Sequence, residues 1–255
     1  MDLELNGRAY LITGGSDGLG LALAQRLVTE GAKVAVCGRD AERLTLAQNA
    51  LGADALCFRA DVTQAAELDN FIDATLERFG RLDGAVNNAG KADASSIADS
   101  SDQQWRDDYE LKVIAALHVS RRVLGALSEN QGAILNILAI AARTPVANSS
   151  PTAVSRAAGL AMTKALSFEA ASHGVRVNAI LIGLIESGQW VRRAEEAHMS
   201  VEEYFAALAK SRPIPLGRVG RAAEFADLAT FLLSSRASYV TGVGISLDGG
   251  LSPVI

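Results

Sequence analysis

The residue types whose spacing points to chemistry are gathered early, in Thr13-Gly14-Gly15-Ser16-Asp17-Gly18-Leu19-Gly20. Glycines at 14, 18 and 20 permit backbone angles and close approaches that a Cβ would block. The freed N–H groups, with the positive end of a helix dipole, would face an anion and above all a phosphate. A tight strand-to-helix turn with no ligand is the alternative. Its flanks argue for the phosphate: the apolar run Ala9-Tyr10-Leu11-Ile12 reads as a strand before the turn, and Leu19 to Val28 as an amphipathic helix after it.

The elements that must position this turn follow from periodicity. Strand-like apolar runs are read at Lys33–Cys37, Ala55–Arg59, Leu82–Val86, Ala133–Leu138, Val175–Leu181 and Val243–Leu247. Between them lie helical runs: one capped by Asp40, one over Ala65–Phe79 with Leu68, Phe71, Ile72, Leu76 and Phe79 on one face, and a long one from Asp102 to beyond Leu124. Further helices are read at Thr152 to about Ala171, Val201–Ala209 and Ala222–Leu233. The alternation predicts an α/β doubly wound, Rossmann-type parallel sheet of about seven strands with helices on both faces. A ligand then belongs at the carboxyl ends of the strands. No composition break or internal repeat divides residues 1–255, so a single dinucleotide-binding domain is expected. A substrate lid falls at about 185–215, its second helical stretch bounded by Pro213 and Pro215.

With 255 residues the chain can bury a sizeable core. Its formal charge of −5 argues against nucleic acid or an anionic membrane as partner. Cys37 and Cys57 sit in apolar runs and read as buried free thiols of a reducing compartment. There is no signal-peptide pattern and no apolar run long enough to span a bilayer, so a cytoplasmic location is expected. No metal site is read.

These signals coincide with Asp61-Val62, Asn87 to Gly90, Arg176-Val177-Asn178-Ala179, Leu216-Gly217-Arg218 and Asp248-Gly249-Gly250. On those motifs the chain resembles the short-chain dehydrogenase/reductase family in its single-domain form, from Leu5 to Gly250. The resemblance implies a nicotinamide dinucleotide. Gly14, Ser16, Asp17, Gly18, Leu19 and Gly20 would lie beneath its pyrophosphate. Asp61 and Val62 would hold adenine. Asn88, Ala89 and Gly90 would flank the adenosine and ribose. Gly183 and Ile185 would meet the carboxamide, with Ser187 where relatives usually carry Thr. NAD-preferring relatives place a carboxylate after the second strand, where this chain has Gly38-Arg39. Gly38 leaves room and Arg39 offers a planar fork of donors for a 2′-phosphate. NADP(H) is therefore favoured over NAD(H). Against this, Asp17 occupies the glycine turn where NADP-preferring relatives often carry a second basic residue; it can instead cap the following helix.

The same resemblance locates a catalytic Asn-Ser-Tyr-Lys set, and every member is replaced: Lys112 for Asn, Ala139 for Ser, Thr152 for Tyr and Arg156 for Lys. None of the four tyrosines (Tyr10, Tyr109, Tyr204, Tyr239) has Lys four residues on. An aliphatic hydroxyl at 152 is a far weaker acid than a phenol. Arg156 can hold ribose hydroxyls but does not release a proton near neutrality. Ala139 offers no donor, and Lys112 beside Arg156 would meet like charge that lowers its pKa.

Three readings stay open. The first is an oxidoreductase on a small carbonyl or alcohol by a non-standard mechanism, with Lys112, Arg143, Ser149, Ser150, Ser155, and Tyr204 or His198 of the lid as further candidates. The second is a catalytically silent nucleotide-binding protein or partner subunit of an active relative. The third is a non-redox enzyme of elimination or isomerisation on the same fold. By analogy with the family a homotetramer is expected, a dimer next, through the helices bearing Leu117, Leu124, Ala161, Ala165 and Phe168. The apolar tail Leu251 to Ile255 is expected to be buried.

Overall fold

A computed structural model describes residues 1–212 and 214–254, so Pro213 and Ile255 of the expected lid boundary and tail lie outside the described residues. Strand β1 (Ala9–Thr13) lies in the interior of the sheet, and each of its residues is buried. It reads as an unbroken apolar run because helices cover both faces. Around it lie β2 (Lys33–Gly38), β3 (Leu56–Arg59), β4 (Gly84–Asn87), β6 (Ala133–Ala139), β8 (Arg176–Ile182) and β9 (Gly244–Leu247), while β5 (Ala94–Ser95) and β7 (Ser150–Pro151) pair separately. The seven-stranded order is β3-β2-β1-β4-β6-β8-β9, parallel throughout. The order reverses between β1 and β4, and the glycine turn opens at that switch point.

Helices α1 (Gly18–Thr29) and α9 (Ala222–Leu233) cover one face, with Leu23, Leu27, Phe225 and Leu232 in the core. On the other face α3 (Ala65–Phe79) contributes Phe71 and Ile72, and α5 (Ala115–Glu129) contributes Val119, Val123 and Leu127. Local chemistry sets the helix ends. Asp17 Oδ1 accepts from Gly18 N at 2.7 Å to cap α1. Asp40 Oδ1 accepts from Glu42 N and Arg43 N at 3.0 and 3.1 Å to cap α2 (Ala41–Leu51). α3 stops at Gly80, whose φ of 70° lies in the left-handed region that favours glycine.

The structure departs from the sequence reading in several places. The long helix expected from Asp102 is α4 (Asp102–Tyr109) joined to α5 through a wide π turn over Glu110–Ile114. One extra residue in such a turn rotates the following face by roughly 100°, a shift that apolar spacing alone does not reveal. The lid holds two helices, α7 (Gly188–Glu196) and α8 (Val201–Ser211), with only the second expected. α7 carries little apolar signal because its charged residues outnumber Trp190, Val191 and Ala194. Cys57 is only half-buried, since β3 is an edge strand, whereas Cys37 is buried. In the tail, Leu251 packs against the lid cluster of Leu184, Ala209, Ile214 and Val219, but Val254 is exposed. Leu124 packs inward on the core, while Phe168 of α6 (Thr152–Ala171) is 71% exposed. Among the described residues, no helix is long and apolar enough to cross a membrane.

Candidate functional site

Beyond the carboxyl ends of the strands lies a cleft of about 800 Å³, within the size range of ligand pockets. Gly14 takes a φ of +65°, and a Cβ there would fall 2.9 Å from Ala89 Cα. The turn is pinned from β4. Asn88 Nδ2 donates to Thr13 O at 3.0 Å and Gly14 O at 2.9 Å, and Asn88 N and Ala89 N both donate to Thr13 Oγ1 at 3.1 Å. The Asn88 amide is thus engaged in shaping the turn, a role that spacing could not show. Gly14, Ser16, Asp17, Gly18, Leu19, Gly38, Arg39, Asp61, Val62, Asn88, Ala89, Gly90, Arg156, Gly183, Ile185 and Ser187 all line the cleft. Gly20 corrects the expectation: it lies beneath the turn, where a Cβ would sit 2.5 Å from Gly14 O and from Asn88 Nδ2.

At one end of the cleft Arg39 and Arg43 stand among Asp17, Asp40 and Asp61. Arg39 is 74% exposed and lies 3.7 Å from Asp61. Arg43, overlooked in the sequence, lines the same cleft and reaches Asp17 at 3.5 Å and Asp40 at 3.7 Å. It is the second cation that the glycine turn lacks, supplied by the first turn of α2. Its bridge offsets the Asp17 charge. Burial pushes the Asp61 carboxyl up, but hydrogen bonds from Thr63 N and Oγ1 and the nearby Arg39 outweigh this and hold it below the usual range. Ser16 Oγ lies where a Cβ on Gly38 would be, 2.5 Å away, so Gly38 makes room for it.

The other end contains the four positions singled out above. Ala139, Thr152 and Arg156 line the cleft. Lys112 does not; it stands behind Thr152, with its side chain 1% exposed. Lys112 Nζ donates to Asp108 Oδ1 and, at 2.8 Å, to Thr152 Oγ1. Asp108 is fully buried, and its Oδ2 accepts from Ser155 Oγ at 2.5 Å. The small β5–β7 pair brings Asp93 against this group, so that Asp93 N donates to Thr152 Oγ1 at 3.0 Å. Asp108 was not foreseen, although an acid four residues before Lys112 on a helix is a legible pairing signal. Arg156 Nη1 donates to Ile137 O at 2.6 Å, and Gly90 leaves space for its Nη2, 2.8 Å from where a Cβ would be.

Burial, ahead of the Arg156 charge, pulls the Lys112 pKa down to about 8 against the opposing pull of Asp108. The like charge expected from Arg156 does lower it, but burial contributes more. Burial also lowers Arg156 to about 10, still protonated at neutrality. A lysine depressed in the folded state binds fewer protons there than when unfolded, so its contribution to stability rises with pH between about 8 and its ordinary value near 10.5. The difference in urea-unfolding free energy between wild type and Lys112→Met should show this rise across that window. A flat difference would mean that Lys112 titrates normally.

The remaining candidates do not assemble at the cleft. Arg143 Nη2 donates to Gly244 O at 2.8 Å, and Ser149 Oγ donates to Val146 O at 2.5 Å. Ser150 O accepts from Ser95 Oγ, and Ser155 is committed to Asp108. Tyr204 packs between Trp190 and Phe205, and neither it nor His198 lines the cleft. Of the lid aromatics, Trp190 does.

With this geometry in place, comparison with known proteins identifies the class. The family model described as enoyl-(acyl carrier protein) reductase matches residues 14–252. The chain belongs to the short-chain dehydrogenase/reductase family. It is 36% identical over 249 residues to an uncharacterized oxidoreductase of Mycobacterium bovis, covering 96% of this chain and 97% of that one. Among solved structures it is similar to an NADPH-bound short-chain oxidoreductase of Pseudomonas aeruginosa PAO1 described as containing an atypical catalytic center, with TM-score 0.92, 38% identity and coverage of 97% and 98%. It is also similar to L-sorbose reductase of Gluconobacter frateurii complexed with NADPH and L-sorbose, with TM-score 0.94, 30% identity and full coverage of both chains. This is an oxidoreductase fold with nicotinamide-binding neighbours.

The residues present fit such a cofactor. Gly14 lets the turn pack directly on the Ala89 backbone, Gly18 at positive φ has no neighbour closer than 3.6 Å to where a Cβ would be, and buried Arg156 Nε has no partner among the described residues. Gly14→Val should place a β-branched residue at positive φ and drive it against the Ala89 backbone. A stability loss of about 1–3 kcal/mol is expected, with NADPH binding abolished in a fluorescence titration.

Proposed function

We propose that this protein is an NADP(H)-dependent oxidoreductase acting on a small carbonyl or alcohol, with proton delivery that does not use tyrosine. When bound, the nicotinamide supplies or accepts the hydride. The observation that carries the reading is the cleft itself, with basic Arg39 and Arg43 at one end and the Thr152–Lys112 hydrogen bond at the other. Arg39 and Arg43 would hold the 2′-phosphate, Asp61 and Val62 the adenine, and Arg156 the nicotinamide ribose. Gly183, Ile185 and Ser187 would meet the carboxamide. The NADPH complexes of the two structural neighbours support the cofactor class, and the neighbour described as containing an atypical catalytic center is itself described as an oxidoreductase.

Two measurements test this. Nicotinamide fluorescence titrations should give tighter binding of NADPH than NADH. Purified protein should then oxidise NADPH with at least one member of a carbonyl panel of ketoses including L-sorbose, cyclic ketones and aldehydes. Tight NADPH binding with no turnover would favour the silent binding protein. For assembly we propose a homo-oligomer through α6, supported by Phe168 and Val154 on its exposed face. Light scattering should give a mass near a fourfold multiple of the 26.7 kDa chain.

A further inference from the structure

We propose that Thr152 is the proton donor to the substrate oxygen and that Lys112, seated on the buried Asp108, recharges it. The proposal rests on the oxidoreductase reading above. A threonine oxygen has two lone pairs and one proton. Both lone pairs are engaged here, one by Lys112 Nζ at 2.8 Å and the other by Asp93 N at 3.0 Å. The hydroxyl proton is what remains, and no acceptor among the described residues takes it. Thr152 lines the cleft beside Ala139, whose methyl offers a substrate oxygen nothing. The local pairing therefore turns an ambivalent hydroxyl into a fixed donor facing the cleft.

Lys112 cannot serve that oxygen directly, because it is sealed behind Thr152. The Thr152 hydroxyl is its hydrogen-bonded link to the cleft. Asp108 has both oxygens committed, Oδ1 to Lys112 and Oδ2 to Ser155 Oγ at 2.5 Å. It is a positioning residue, holding the ammonium against Thr152. An aliphatic hydroxyl alone is too weak an acid, but it need not accumulate as an alkoxide when its replacement proton arrives as its own departs. Lys112 also lines a small internal cavity of about 10 Å³ with Asn87 and Arg156, large enough for one water. Asn87 Oδ1 and Arg156 Nε, on residues that line it, are buried without a partner among the described residues. Such a water would reload the amine.

The step balances. In reduction a hydride and its electron pair form the new C–H bond at the carbonyl carbon, and the C=O π pair moves to oxygen. That oxygen takes the Thr152 proton. The Thr152 oxygen takes a proton from the Lys112 ammonium, which becomes a neutral amine and regains a proton from water. Oxidation of the alcohol reverses each transfer.

The test uses the full-length protein, NADPH and the carbonyl panel. Thr152→Val removes the hydroxyl at constant shape and should lower kcat by about 10²–10⁴-fold, with NADPH affinity unchanged within about twofold. Thr152→Ser keeps the hydroxyl and should restore most of the rate, which a merely structural role for the threonine methyl would not allow. The wild-type reduction rate should fall as pH rises through about 8, as Lys112 loses its proton. The charged groups facing Lys112 are Asp108, Asp93 and Arg156. Asp108→Asn removes the negative charge in direct contact, so the falling limb should move to lower pH. Wild-type turnover by Thr152→Val, loss of rate in Thr152→Ser equal to that in Thr152→Val, or an unmoved limb in Asp108→Asn overturns the relay while leaving the oxidoreductase reading intact. NADPH binding without turnover of any carbonyl overturns that reading, and the relay with it.

Discussion

Asp108→Ala is expected to lower the unfolding free energy by about 3–5 kcal/mol. For a chain of this size that is a fall in Tm of roughly 6–20 °C. The carboxylate is fully buried and satisfies the Lys112 ammonium and the Ser155 hydroxyl. Removing it leaves a buried cation without its counter-charge, a large penalty in a low-dielectric interior, while the Ser155 hydroxyl falls back on Thr152 O at 3.0 Å. Lys112→Met should cost a similar amount, because Asp108 is then the unpaired charge. The double variant Asp108→Leu/Lys112→Met should recover most of that stability, since an apolar pair of similar volume avoids the desolvation of both charges. Urea unfolding of wild type, the two single variants and the double variant measures this directly. Recovery in the double variant, together with loss of turnover, would mean that the pair is kept for chemistry at the expense of stability. Single variants within about 1 kcal/mol of wild type would mean that the pair is not buried as the structure has it.

Arg39→Ala/Arg43→Ala should weaken NADPH binding by about 30–100-fold and leave NADH binding within about twofold. Each guanidinium makes a charge-assisted contact with a 2′-phosphate worth about 1.5 kcal/mol at this exposure, roughly tenfold in affinity. Because both meet the same phosphate, their effects fall short of full additivity. The single variants separate the contributions. Arg39 is the more exposed, and its Asp61 partner lies at 3.7 Å. Arg43 must also share its charge with Asp17 and Asp40, so Arg43→Ala should have the smaller effect. Fluorescence titration with the two cofactors at one ionic strength is the measurement. An equal loss for NADH would mean that the arginines pack on adenine and do not read the 2′ position.

The cofactor half of the site was largely legible in the sequence. Gly14, Gly18 and Arg39 line the cleft where the strand–turn–helix pattern and the end of β2 placed them. Phosphate cradles are built from backbone, so their residues must be contiguous and small. Gly20 was legible as a close approach but misassigned to the ligand, because spacing does not say which neighbour does the approaching. Arg43 was missed for a related reason. Its charge lies on a helix read only for its cap, and its direction depends on how α2 seats against β2. The lid helix α7 escaped because its few apolar residues are diluted by charge.

The catalytic half divides differently. The sequence alone settled which side chains stand at 112, 139, 152 and 156, none of them a tyrosine. It also determined the alternation of strands and helices that carries them, because hydrophobic period is a local property of the chain. Tertiary structure alone decided that Lys112 is sealed from the cleft, that Asp108 answers its charge, and that Thr152 has both lone pairs occupied. Those facts depend on a π turn in one helix, the start of another, and a two-residue bridge between loops. Burial and charge pairing are set by what packs from distant parts of the chain, and no pattern along a single segment encodes them.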